Sequence, residues 1–330
     1  VIRGIALTVV TLLLAACGGA EAPAPQGPHY LIDPDRITVS GISSGAYMAG
    51  QLHVAHSALF HGAGLIAGGP FYCARGSVMN GVGICVKGGD IPVGELLADT
   101  RAMADAGKLD TLANLRDDNV WLFHGKRDAL VSAEVTAAAN TFYGALIDVG
   151  RITFVDGIEA AHGMPTLDSG RPCAEFGPPF IQACEYDAAG AVLTALYGPL
   201  APRVSAIGSL QPVTQPGGAA AGMAGEGLVY VPESCAGGTS CGIHVVLHGC
   251  SQSVEYVGDA FARGAGYNEW AESNRLIVLY PQVASSKIAP MNPYGCWDWW
   301  GYTGDDYATR EGPQIEVIMA MLDALGGTAH

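Results

Sequence analysis

A β-branched run, Arg36–Gly41 (RITVSG), passes through Ile42 and Ser43 straight into Ser44–Phe60, where apolar residues recur at helical spacing. A strand that turns into a helix within a few residues is the unit of parallel sheets, because parallel neighbours need a crossover that no hairpin can supply. The same alternation continues along the chain. Gly64–Ala67 is a short strand candidate, Val93–Ala106 reads as a helix and Val120–Phe123 (VWLF) as a buried strand. Ala133–Val149 is an alanine-rich helix that precedes the strand Arg151–Val155. Beyond residue 227 come strands at Leu228–Val231, Ile243–Leu247 and Leu276–Tyr280, a helix around Gly258–Asn274 and a last helix near Gln314–Leu325. This pattern predicts an α/β fold with a mostly parallel central sheet flanked by helices.

Between the two runs lies Leu210–Gly227 (LQPVTQPGGAAAGMAGEG), rich in Pro, Gly and Ala. It could divide two domains, but each side alone has too few strands to cover a sheet. Residues 29–330 are therefore expected to form one domain, with 210–227 as a linker crossing the outside of a shared sheet. Apolar residues make up 49% of the chain and charged ones 14%, which argues against long disorder. Sixteen basic against thirty-one acidic residues give a net charge of −15, a field that repels phosphate backbones, so nucleic acid is excluded as an expected partner.

Residues 1–16 read as an export signal, with Arg3 followed by the uncharged, mostly apolar run Gly4–Ala16, too short to span a bilayer. Leu14-Ala15-Ala16-Cys17 is similar to a bacterial lipobox, which makes Cys17 the expected lipid-bearing residue and 17–28 a tether. The plainer alternative is a secretory signal whose cleavage site adjoins a cysteine. Either way the protein is expected outside the cytoplasm, touching a membrane only through that anchor. The other eight cysteines, an even number in an exported chain, suggest disulfides. Pairing sequence neighbours joins Cys73 to Cys85, Cys173 to Cys184, Cys235 to Cys241 and Cys250 to Cys296. The close Cys-x-x-Cys pairs of zinc sites are missing from the sequence, and no metal is expected.

Gly41-Ile42-Ser43-Ser44-Gly45 matches G-x-S-x-G in the strand-to-helix context of a nucleophile elbow, which makes Ser43 the candidate nucleophile. Gly238-Thr239-Ser240-Cys241-Gly242 matches too, but no strand precedes it and a strand rather than a helix follows; it reads as a decoy. A serine needs a base and a group to orient that base. Asp128 follows the strand Val120–Phe123 and His162 follows Arg151–Val155, so the order serine, aspartate, histidine is that of an α/β-hydrolase. His53, His56 and His61 lack the acids or thiols of a metal face, while His124 and His248 sit at strand ends where a histidine can pin a loop. His248-Gly249-Cys250 follows a strand directly, the position from which a backbone N–H reaches an oxyanion; Ser44, after the nucleophile, is the other expected donor. In Cys296-Trp297-Asp298-Trp299-Trp300 three tryptophans cannot all face inward, so at least one is expected at a cleft or on the surface.

The segments HVVLHGCSQS, LIVLYPQ, CWDWW, DPDRITVSGISSGAYMAGQL and AHGMPT together resemble extracellular poly(3-hydroxybutyrate) depolymerases and their esterase relatives. The family usually carries the HGC, YPQ and CW segments before the serine elbow; here they follow the histidine. The resemblance thus implies a circularly permuted α/β-hydrolase, with 210–227 joining the former termini. It implies serine-dependent hydrolysis of short-chain polyesters and their oligomers without a cofactor. Ser43, Asp128 and His162 would form the triad, Ser44 and Cys250 the oxyanion hole, and Trp297, Trp299 or Trp300 a contact to the hydroxyacyl unit. Competing readings are a small-substrate carboxylesterase of feruloyl or acetyl type and a non-catalytic polymer-binding surface lipoprotein.

Overall fold

The computed structural model describes residues 29–327; the expected export signal, Cys17 and the tether lie outside the described residues. The main sheet is built from β1 (Ile32–Ile42), β2 (Gly62–Ile66), β3 (Asn119–Phe123) and β4 (Ile152–Val155) of the first half. After a small three-stranded sheet of β5 (Met164–Thr166), β6 (Arg171–Pro172) and β7 (Ile181–Ala183), the second half adds β8 (Ser209–Thr214), β9 (Glu226–Val231), β10 (Cys241–Leu247) and β11 (Leu276–Tyr280). The eight strands run β4-β3-β2-β1-β10-β11-β9-β8, and β9 opposes its two neighbours. Both halves therefore share one mostly parallel sheet, as the alternation predicts. Counted from β8, the spatial order becomes 1-2-4-3-5-6-7-8, so the chain enters the sheet at its fifth position and supplies the first four strands last. That is the permuted order which the displaced motifs imply.

Two helical layers cover the sheet. On one face α1 (Ser44–Ala55), α3 (Ala133–Gly144) and α6 (Pro313–Leu325) bury Leu52, Phe142, Ile318 and Leu322 against Val39, Leu65, Val120 and Val245; α2 (Val93–Asp105) packs beyond them through Leu96. On the other, α4 (Ala188–Tyr197) and α5 (Tyr267–Asn274) pack Val192, Leu193 and Tyr267 against Ile66, Trp121, Val246 and Val278. Both faces of the central strands are buried because helices cover both; on the α4/α5 side β1 and β10 bring Thr38, Ser40 and His244 together in a buried hydrogen-bonded group.

Several expectations need correction. The stretch 210–227 is not a linker crossing outside the sheet: its first residues form β8, hydrogen-bonded to β9 from Ser209↔Val231 to Thr214↔Glu226. Pro212 is tolerated there because β8 is the edge strand. The irregular connection lies earlier, between the end of α4 and β8, where 201–207 is exposed coil. The helix expected over Gly258–Asn274 breaks at Gly266 (φ 90°) into Ala260–Gly264 and α5. The helices from Ser44 and Ala133 stop at Ala55 and Gly144, short of Phe60 and Val149. α4 is an addition; Asp187 caps it by accepting from the Gly190 amide at 2.8 Å.

All four expected disulfides are present: Cys73–Cys85, Cys173–Cys184, Cys235–Cys241 and Cys250–Cys296.

Candidate active site

Ser43 sits at φ 57°, ψ −121°, between the end of β1 and the first residue of α1. A non-glycine residue in that region is strained and persists only where its surroundings over-determine it. Here the Ser43 amide donates to the Ile66 carbonyl at 2.8 Å, anchoring the turn to β2. The flanking glycines are required by space. A Cβ on Gly41 would lie 2.2 Å from the Gly45 carbonyl oxygen, and one on Gly45 would lie 2.3 Å from that of Leu247 at the end of β10. The second G-x-S-x-G has no such geometry: Ser240 is exposed in the loop between Cys235 and Cys241.

Asp128 and His162 leave the ends of β3 and β4, and the loops are laced together where the Lys126 and Arg127 amides donate to Ile158 and Ala160 carbonyls at 2.8 and 3.0 Å. His162 Nδ1–H donates to Asp128 Oδ2 at 2.7 Å. The other carboxylate oxygen accepts from the Leu130 and Val131 amides, both at 2.9 Å. Burial raises the Asp128 carboxyl, but the hydrogen bond and charge of His162 and the two amides outweigh it and hold the group below its ordinary value. His124 donates from Nε2 to the Val131 carbonyl at 3.0 Å, pinning this acid loop from beneath.

Ser43 and His162 line one cavity of about 1040 Å³, together with Cys250, Trp299 and Trp300. Ser44 lies just behind, wholly buried, its hydroxyl accepting from the Trp297 amide at 3.3 Å. In the loop after β10 the Gly249 amide donates to Gln252 Oε1 at 2.7 Å, and Gln252 Nε2 donates onward to the Pro179 and Phe180 carbonyls at 3.1 and 3.2 Å. His248 is no base: burial drives its pKa down to about 4, Nδ1–H donates to the Gly249 carbonyl and Nε2 accepts from the Val283 amide. It pins the loop, as its strand-end position suggests.

Of the three tryptophans, Trp297 requires correction as a substrate contact. Its ring is 0% exposed, does not line the cavity, and donates through Nε1 to the His248 carbonyl at 3.0 Å. It supports the loop after β10 from below. Trp299 and Trp300 do line the cavity, Trp299 packing edge-on against Tyr47 at 4.8 Å. Their loop is shaped by Asp298, whose buried carboxylate accepts from the Trp300, Gly301 and Tyr302 amides through Oδ1 and from the Thr303 amide and hydroxyl through Oδ2, at 2.7–3.2 Å. Even so, burial outweighs these bonds and raises the Asp298 carboxyl.

Sequence reasoning passed over three contributors. Gln252 is one. Phe176, whose ring centroid lies 6.1 Å from that of His162, and Phe180 are another. The third is a rim of further exposed apolar side chains that continues from Phe176 along the cavity edge: Val78, Val82, Leu130, Met291 and Tyr294. Such residues read in sequence like any core residue; only their exposure around one opening marks them.

No protein-family model matches the chain. A poly(3-hydroxybutyrate) depolymerase of Delftia acidovorans is 42% identical over 96% of this chain, which spans 65% of that relative's length. A polyhydroxybutyrate depolymerase of Talaromyces funiculosus is 34% identical over 94% of this chain and 95% of its own. Among solved structures, the PHB depolymerase from Penicillium funiculosum superposes with a TM-score of 0.86 at 34% identity, covering 91% of this chain and 98% of that one. A serine-to-alanine PHB depolymerase complexed with an R3HB trimer matches equally, at 33% identity.

Proposed function

Because this chain belongs to the polyhydroxybutyrate depolymerase family, we propose that it is a serine hydrolase cleaving poly(3-hydroxybutyrate)-type polyesters and their oligomers through an acyl-enzyme. The observation that carries this reading is a Ser43–His162–Asp128 constellation opening into a large apolar cavity with an exposed apolar rim. An apolar cavity suits a neutral polyester, whose methyl and methylene groups gain by leaving water.

In the proposed reaction Ser43 Oγ attacks the ester carbonyl and His162 Nε2 takes its proton. Asp128 keeps the other ring nitrogen protonated and stabilises the imidazolium that forms. The Ser44 and Cys250 amides receive the oxyanion, each contributing about 3 kcal/mol. The engagement of the Gly249 amide by Gln252 supports Cys250 as the donor from its loop. His162 then returns the proton to the leaving alkoxide, and water repeats the sequence on the acyl-serine to release the acid. The chemistry calls on no cofactor. Trp299, Trp300 and the rim residues would hold the hydroxyacyl chain and adsorb the enzyme to solid polymer.

Product release from poly(3-hydroxybutyrate) film, its soluble oligomers and a feruloylated sugar tests the reading. Turnover of the first two supports it; turnover of the sugar ester alone would replace it with a small-substrate esterase. The four disulfides suit an oxidising, extracytoplasmic setting. A lipid anchor at Cys17 completes the proposal, and palmitate labelling lost in Cys17→Ser is the outcome it requires.

A further inference from the structure

A neutral polyester offers nothing for a charged side chain to recognise along its length, and among the described residues the cavity around Ser43 is lined by no aspartate or glutamate. It is lined by one lysine, Lys87. This residue closes the single turn Ile84–Lys87, which is fastened on three sides. Cys85 is disulfide-bonded to Cys73, its carbonyl accepts from the Tyr47 hydroxyl, and the Val86 carbonyl accepts from the Ser132 amide at 2.9 Å in the loop that carries Asp128. The cation is thereby held beside the triad's acid loop.

Lys87 has no partner among the described residues, whereas most cations of this acidic chain are matched locally, as Arg75 is with Glu95 and Asp99, Lys108 with Asp306 and Arg127 with Glu159. Arg101, Arg275 and Lys287 also lack an ion pair among the described residues, but none of them lines the cavity. Glu134, in the first turn of α3, is turned to the Gly89 amide at 2.7 Å. Among the described residues Lys87 makes no ion pair and no side-chain hydrogen bond, so an exposed ammonium stands free at the edge of an apolar cleft.

We propose that Lys87 receives the terminal carboxylate of a hydroxyacid oligomer and sets which ester bond of that oligomer reaches Ser43. The proposal rests on the polyester-hydrolase reading above and deepens it. Hydrolysis converts R–CO–O–R′ and water into R–COOH and HO–R′. In a 3-hydroxyacid chain the fragment leaving as the alcohol, HO–R′, is the one that retains the original carboxyl end. A carboxylate bound at Lys87 therefore belongs to the leaving-group side of the scissile bond. Polymer interiors bypass the site; short oligomers, which a net charge of −15 otherwise repels, use it.

The test compares KM for the free-acid R3HB trimer with KM for its methyl ester in wild type, Lys87→Met and Lys87→Glu at low ionic strength. The ratio of acid to ester KM should rise about three- to five-fold in Lys87→Met, the size of an exposed ion pair, and further in Lys87→Glu. Added salt should shrink the difference in acid-to-ester KM ratio between wild type and Lys87→Met, because it screens the Lys87 attraction while the background repulsion is common to both proteins. A ratio identical in all three proteins overturns the proposal. Wild type that cleaves neither trimer overturns the parent reading along with it, a separate and recognisable result.

Discussion

Removing the Cys250–Cys296 crosslink by a double change to alanine should destabilise the protein more than removing Cys235–Cys241, although packing alone ranks them the other way. The first bridge closes 46 residues and the second only 6. Chain entropy then assigns about 4 kcal/mol to the longer loop and about 2 kcal/mol to the shorter. With an unfolding entropy near 2.1 cal/mol/K per residue over roughly 300 residues, these become Tm losses of about 6 °C and about 3–4 °C. Burial argues the reverse: Cys235 and Cys241 are 1% and 0% exposed, Cys296 is 7% exposed and Cys250 is only partly buried. Lost side-chain contacts would therefore cost more at the shorter bridge. Calorimetry of the two double variants under non-reducing conditions separates the terms. If the Cys235/Cys241 variant melts lower, loop closure does not govern the stability these bridges confer. The longer bridge also ties the loop after β10, the proposed source of an oxyanion donor, to the tryptophan segment, so its loss should lower kcat on a soluble ester more than it alters KM.

Ser43→Ala should abolish hydrolysis of p-nitrophenyl butyrate while Ser240→Ala leaves it intact; an inactive but folded Ser240 variant would overturn the assignment of the nucleophile. Asp128→Asn should reduce kcat about 10⁴-fold, because the amide favours the wrong imidazole tautomer. The Asp128 carboxyl is depressed in the folded state, so the stability it contributes is present above the ordinary carboxylate range and is lost as pH falls through the folded value. In a Ser43→Ala background, Asp128→Asn should therefore flatten the acid side of a Tm–pH curve, and an unchanged curve would count against the coupling. Replacing Phe176 and Met291 by serine, or Trp300 by alanine, should slow film erosion several-fold and alter soluble-ester turnover much less; equal effects on both would remove the adsorption role.

Much of this arrangement was legible from local chemistry. The elbow declared itself because a strand, two glycines around Ser43 and a helix must lie next to one another in the chain to make it. Asp128 and His162 followed because parallel strands deliver their loops to the same end of the sheet, and the disulfides because the sequence-neighbour pairing was the true one. What escaped depends on partners distant in sequence. β8 hides in a Pro- and Gly-rich stretch since an edge strand needs little propensity once β9 is there to pair with it. The Ala-rich α4 carries its identity in contacts to the sheet and to Trp270 rather than in a polar face. Trp297 and Trp300 belong to one short motif, yet one is sealed beneath the loop after β10 and the other lines the cavity; that distinction is made by Asp298, which folds the chain back between them. The apolar rim is invisible for the same reason, since exposure is a property of the assembled surface.

The pairing of β1 with β10 also sets when the candidate site can be completed. Ile37 is registered against Ile243 and Gly41 against Leu247, so the strand that leads into Ser43 has its second neighbour only after most of the chain exists. A nascent or truncated first half would hold serine, aspartate and histidine in order, with β1 stranded as an apolar sheet edge inviting other chains. It would lack the loop after β10, against which Gly45 is packed. Contacts of such long range slow folding, because loop-closure entropy is lost before they can form. The candidate site is thereby left unfinished in every copy of the chain that stops short of β10, and under the proposed chemistry such a copy would be silent toward esters.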